Sequence, residues 1–149
     1  MTIKNRENMS ENTKNPTALE AVKEQVTATI GQINRQIKAR MEKAEGNYLY
    51  FFEWNAEEVY QLHHRRKFYT GLLKKLEEWD GVDIVLDLLR MARHKGEELI
   101  RGSLVRNSTS RMANLAHSLG LQAEQELIKE IESLAHLARH AESNHRCDD

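Results

Sequence analysis

From Leu19 onward, apolar side chains return every three or four residues: Leu19, Val22, Val26, Ile30, Ile33, Ile37, Met41, Ala44 and Tyr48. The steps repeat so that Leu19, Ile30 and Met41 are equivalent, eleven residues to three turns. That period is close to a straight helix carrying one narrow apolar stripe. It predicts a first helix over 17–45, opened just after Pro16, where a missing N–H costs nothing, and closed at Gly46. A stripe this narrow suits a seam against one or two helices, inside a bundle or as a coiled-coil seam across a homodimer.

A second helix is predicted over 56–78. Asn55 stands at its N-cap, Glu58 at the third helical position, and Trp54 and Val59 are spaced to staple across the cap. The same grammar returns at Trp79, Asp80, Asp83 and Ile84. It opens a third helix over 81–104 with Val82, Val85, Leu86, Leu89, Ala92, Gly96, Leu99 and Ile100 on one face. The polar run Arg106 to Ser110 breaks the pattern. A short helix over 110–119 follows, with Gly120 as a left-handed cap, and a last helix over 122–142 with Leu127, Ile131, Leu134, Ala138 and Ala141 inward. No alternating run signals a strand. The expectation is an all-α antiparallel bundle of four long helices and one short one, a single domain over 16–143, and oligomeric. Residues 1–15 read as a disordered leader, with Met9 as an alternative start, and 144–149 as a frayed tail.

All nine aromatic residues fall between Tyr48 and Trp79, and five of them, Tyr48, Tyr50, Phe51, Phe52 and Trp54, lie within seven positions. Burying one such ring contributes about 1.5–3 kcal/mol, and a cluster of them left in water invites association. The rings therefore call for shelter, in the core or at a subunit interface. Tyr48, Tyr50, Phe51, Phe52, Trp54 and Tyr60 are the candidate partner-contact residues.

Charge narrows the functional classes. Lys and Arg number 22 against 23 Asp and Glu in 149 residues, a net charge of -1. This excludes a nucleic-acid coat held by bulk positive charge. The one cysteine, Cys147, permits neither an internal disulfide nor a four-cysteine zinc site. No apolar run reaches the roughly 20 residues of a membrane span, and the first residues lack a signal peptide's apolar core. A cytoplasmic protein without cofactor or membrane partner is expected.

The chemistry-bearing motifs are incomplete. His63, His64, Arg65, Arg66 and Lys67 run consecutively beside Tyr60, Phe68 and Tyr69, and basic plus aromatic side chains can grip an anion or nucleic acid. Consecutive residues point all round a helix, however, so a solvated face is the commoner meaning. Arg101, Arg106 and Arg111 form a second, looser basic group. Glu132, His136 and His140 lie four apart on one stripe, a weak metal candidate, and only Glu142 with His145 has the spacing of a di-iron carboxylate motif. Leu115 to Leu121 resembles half of a helix-turn-helix, but the helix after it carries Glu124, Glu126, Glu130 and Glu132, which phosphates would repel. His117 lacks the Lys-Gly that follows a phosphotransfer histidine. Arg111 with His117, and Arg139 with His145, fit the Arg–His spacing of helical RNases loosely. No catalytic constellation is complete. The sequence points first to a small non-enzymatic adaptor, chaperone or inhibitor that self-associates through its first two long helices. The alternatives are a nucleic-acid-associated regulator using 63–67 and the 101–111 junction, or a helical hydrolase or RNase.

Overall fold

The computed structural model describes residues 16–79, 83–103 and 110–147. The described residues form five helices and no strand: α1 (Ala18–Lys43), α2 (Tyr48–Trp54), α3 (Ala56–Glu78), α4 (Ile84–Ser103) and α5 (Arg111–Cys147). The expected leader (1–15) lies outside these residues, as do Asp80, Val82 and Arg106. The helix α5 runs to Cys147, beyond the frayed end expected from residue 144.

α1 starts with a capping box. The Thr17 hydroxyl accepts from the Glu20 N–H (3.2 Å), and the Glu20 carboxylate accepts from the Thr17 N–H (3.1 Å), so two end donors are satisfied reciprocally. Of its predicted stripe, Val22, Val26, Ile33 and Ile37 are buried, but Met41 and Tyr48 are exposed. The chain leaves α1 through Gly46, whose positive φ of 71° suits a residue without a Cβ. Asn47 then caps α2, its side-chain oxygen accepting from the Tyr50 N–H at 3.0 Å.

α3 occupies the predicted span, but it does not begin as expected. The Asn55 side chain makes no cap hydrogen bond, and Trp54, 70% exposed, does not staple onto buried Val59. The Asn55 N–H still donates to the Phe51 carbonyl (2.9 Å), and the Asn55 carbonyl still accepts from Val59 (2.9 Å). Asn55 therefore closes α2 and opens α3 through its backbone alone, in a non-helical conformation (φ -121°, ψ -18°). At the start of α4, Asp83 acts as the cap, accepting from the Leu86 N–H at 3.1 Å.

Two further expectations need correction. The inward face of α4 is Ile84, Val85, Leu88 and Ala92, whereas the predicted Leu86 and Leu89 are 43% and 39% exposed and Ile100 is also exposed. An apolar run this dense offers several helical stripes, and the partner decides which is buried. Nor is there a corner at Gly120: α5 is one helix of 37 residues, about 55 Å long. The short helix of the fold is α2. A mid-helix glycine costs about 1 kcal/mol. Here it is outweighed by one continuous buried stripe, from Leu119 through Ala123, Leu127, Ile131, Leu134 and Ala138 to Ala141.

α5 is the spine, packing against α1, α3 and most extensively α4, while α1 also packs on α3. The contacts fix directions. Gly102 lies near His117 and Leu121, and Lys95 near Glu124, so α4 runs antiparallel to α5. Arg40 meets Glu58 and Asn34 meets Arg66, so α1 runs antiparallel to α3. α3 and α5 run parallel, His64 meeting Glu124 and Arg65 meeting Glu130. Their contact closes one diagonal of the bundle. α3 and α4, neighbours in chain order, make no extensive contact, and a cavity lies between them.

Neighbouring residues test the corrected faces. Leu88→Ala, at a position 0% exposed, should cost about 3 kcal/mol in urea unfolding, and Leu89→Ala less than about 1. Gly120→Ala should raise stability by about 1 kcal/mol. A loss there would mean that Gly120 needs a left-handed backbone and that the corner exists.

Candidate functional site

The basic run on α3 is divided among partners. His64 Nε2 lies 2.7 Å from one oxygen of Glu124, and Lys95 Nζ donates to the other at 2.7 Å. Arg65 reaches Glu130 through both Nη2 and Nε, and its guanidinium lies 6.0 Å from the Tyr69 ring centre. Arg66 donates to Asn34 and to His63 Nδ1. Of the five candidate anion-contact residues, His64 and Arg65 therefore face acids of α5, whereas Lys67 is exposed without a partner among the described residues. The Glu residues that argued against a reading helix in the sequence have this local use: Glu124 and Glu130 take up the cations of α3.

Two groups in this waist are electrostatically displaced. Burial would raise the Glu124 carboxyl, but the hydrogen bonds from Lys95 and His64 outweigh it and hold the group below its ordinary range. Burial pushes the Tyr69 phenol well up, and the neighbouring Glu130 charge adds to that.

The aromatic block sits at the other end of the chemistry. It is not core. Tyr48 is 76% exposed, Phe52 64% and Trp54 70%, with Tyr50 and Tyr60 also exposed and Phe51 half-buried against Phe52 in an edge-to-face contact, ring centres 5.6 Å apart. An intramolecular shelter, one of the two expected from sequence, is thereby excluded for most of these rings. The cause is geometric. α2 is apolar on every side apart from Glu53, but among the described residues it packs extensively on α3 alone.

The surface around it extends the patch. A groove of 310 Å³ runs between Phe51, Phe52 and Tyr60 on one side and Met112, Leu115 and Leu119 of α5 on the other. A second hollow of 320 Å³ joins Phe51 and Phe52 to Met41, Ala44 and Tyr48. Nine of the twelve exposed large hydrophobic residues among those described belong to the end of α1, to α2, or to the first turns of α3 and α5. Sequence reasoning found the aromatic part and missed Met41, Leu49, Met112 and Leu115. Met112 and Leu115 fall in the separate short helix that the sequence predicts, so spacing does not show their place opposite Phe52.

The remaining candidates do not converge. Glu132, His136 and His140 are exposed on α5, with Asn144 Nδ2 3.2 Å from His140 Nε2, and among the described residues no three His, Cys, Asp or Glu side chains are grouped to hold a metal ion. Arg111 and His117, six apart on one uninterrupted helix, lie about 120° apart around its axis, and His117 Nε2 lies 3.1 Å from the Gly102 carbonyl. Arg139 and His145 have the same separation. Among the described residues no helix is long and apolar enough to cross a membrane. In comparisons with protein-family models, curated proteins and solved structures, nothing matches the chain.

The displaced Glu124 makes the waist pH-sensitive. A carboxyl held lower in the folded state contributes stability that is complete above the ordinary value of about 4.3 and is lost as pH falls through the folded one. Glu124→Gln should cost about 1 kcal/mol at neutral pH. The gap to the native protein should close on acidification below about pH 4, in parallel urea melts.

Proposed function

We propose that the protein is a non-enzymatic interaction protein of the adaptor, chaperone or inhibitor type, which self-associates through the apolar end built by α1, α2 and the first turns of α3 and α5. The observation that carries this reading is that nine exposed large hydrophobic residues lie on these segments, six of them lining two hollows. Monomeric soluble proteins seldom leave a contiguous patch of this kind in water, and aromatic and Met side chains are the types enriched in interface cores. Leaving several rings unburied also forgoes about 1.5–3 kcal/mol each, which a second copy of the same surface would supply. A two-fold arrangement fits a surface that offers both ridge and groove: Phe52 and Trp54 project, and Phe51, Tyr60, Met112 and Leu115 surround a hollow.

The nucleic-acid alternative draws less support from the same coordinates, because His64 and Arg65 are already opposite Glu124 and Glu130. For the hydrolase or RNase alternative, the metal and Arg–His candidates do not converge among the described residues.

Sedimentation velocity of the full chain and of the Phe52→Ser, Trp54→Ser double variant tests the proposal. Both residues are exposed, so the variant should keep its helical circular dichroism and melting temperature. The native protein should sediment as a dimer at tens of micromolar and the variant as a monomer. A native protein that stays monomeric to about 100 µM, where an interface weaker than about 5 kcal/mol would be the only one left, overturns self-association.

A further inference from the structure

The cavity between α3 and α4 is separate from the apolar end and has a different character. It measures 310 Å³, and its floor is Phe68, Leu72 and Met91. Lys67, Gly71 and Lys75 stand four apart along one stripe of α3, with Lys95 of α4 also on the wall. Lys95 is drawn to Glu124 and lies 4.8 Å from the centre of the Phe68 ring. Glu124, the one acid in the lining, is engaged by both Lys95 and His64. Lys67 and Lys75 make no ion pair or hydrogen bond among the described residues. The lining thus carries two positive charges that no protein carboxylate answers, over an apolar floor.

Gly71 is the second observation. It sits inside α3, where glycine weakens the helix relative to alanine. A Cβ built there would meet nothing within 4 Å, so packing within the protein does not require its absence. The position lies midway between the two free lysines on the cavity wall. A glycine there bares the helix backbone to whatever enters, and the flexible stems of Lys67 and Lys75 let both ammonium groups close over the same point.

The geometry points to a binding site for a small phosphorylated molecule with an apolar or aromatic body: the phosphate is held above Gly71 by Lys67 and Lys75, and the body lies on Phe68, Leu72 and Met91. Lysines serve as point-charge partners for phosphate, and two unanswered cations suit its double charge better than a single carboxylate. The volume is at the lower end for small-molecule sites, which fits an aryl phosphate and is too small for a dinucleotide. This inference does not depend on the apolar end.

The test uses the full chain at low salt, titrated with phenyl phosphate and, separately, with inorganic phosphate, and followed by calorimetry and amide chemical shifts. Phenyl phosphate should bind saturably at one site, about tenfold or more tighter than inorganic phosphate, with the largest shifts around residues 67–75 and 91–95. The Lys67→Gln, Lys75→Gln variant, altering two exposed side chains, should stay folded and lose about tenfold or more in affinity. Gly71→Ala should raise the melting temperature by about 3 °C while weakening phenyl phosphate binding severalfold. Absence of saturable binding up to about 10 mM, a range that covers even very weak sites, overturns the proposal. So does equal affinity in the native protein and the double variant, which would mark non-specific charge attraction.

Discussion

Burial of the α5 stripe, Leu119 to Ala141, organises the molecule. Leu127, Ile131 and Ala138 are fully buried, and α1, α3 and α4 each meet this one helix. The stripe begins only at Leu119, and Met112 and Leu115 in the first turns of α5 stay exposed. At the end of α1 Met41 is likewise exposed although Ala44 is buried, and most of α2 is exposed although it packs on α3. The apolar end of the protein begins where the buried stripe of α5 stops. Removing any of the three partners would leave α5 with an uncovered stripe, whereas the aromatic end can stay uncovered without unfolding the bundle. That asymmetry leaves it available to a second chain.

The charged waist has a different part. Individually, half-exposed ion pairs contribute little, about 0–1 kcal/mol. Together, Glu124 with His64 and Lys95, and Glu130 with Arg65, hold α3 parallel to α5 at one register. Drawing α3 onto α5 across the diagonal leaves the seam between α3 and α4 open. The free lysines and Gly71 then line a cavity where a closed bundle would have apolar contact.

How much of this was legible in the sequence depends on how unambiguous each local signal is. α1 could be read because its stripe admits one face, and α3 because its span is bounded by polar residues on both sides. The Thr17 capping box was also readable, as Thr-x-x-Glu at 17–20. The α4 face was misread because Ile84 to Leu89 is apolar nearly throughout, and only the partner helix selects Leu88 over Leu89. Gly120 was misread because its preference for a helix end is worth about 1 kcal/mol, less than a buried stripe of seven side chains. Asn55 stands at the cap position its residue type predicts, but its side chain is buried and makes no cap hydrogen bond. The aromatic cluster is conspicuous in the sequence, but spacing alone does not say that the chain itself leaves most of it bare. Pairings such as Lys95 with Glu124 join residues 29 positions apart and have no local signature.

Cover of the aromatic end by a second copy, as proposed, is reported directly by Trp54. In a Trp79→Phe variant, Trp54 is the sole tryptophan, and its emission and acrylamide quenching can be followed over serial dilution. A self-associating chain should show blue-shifted, quencher-protected emission at high protein concentration that turns red and accessible as the chain is diluted. Red, freely quenched emission at every concentration would contradict self-association.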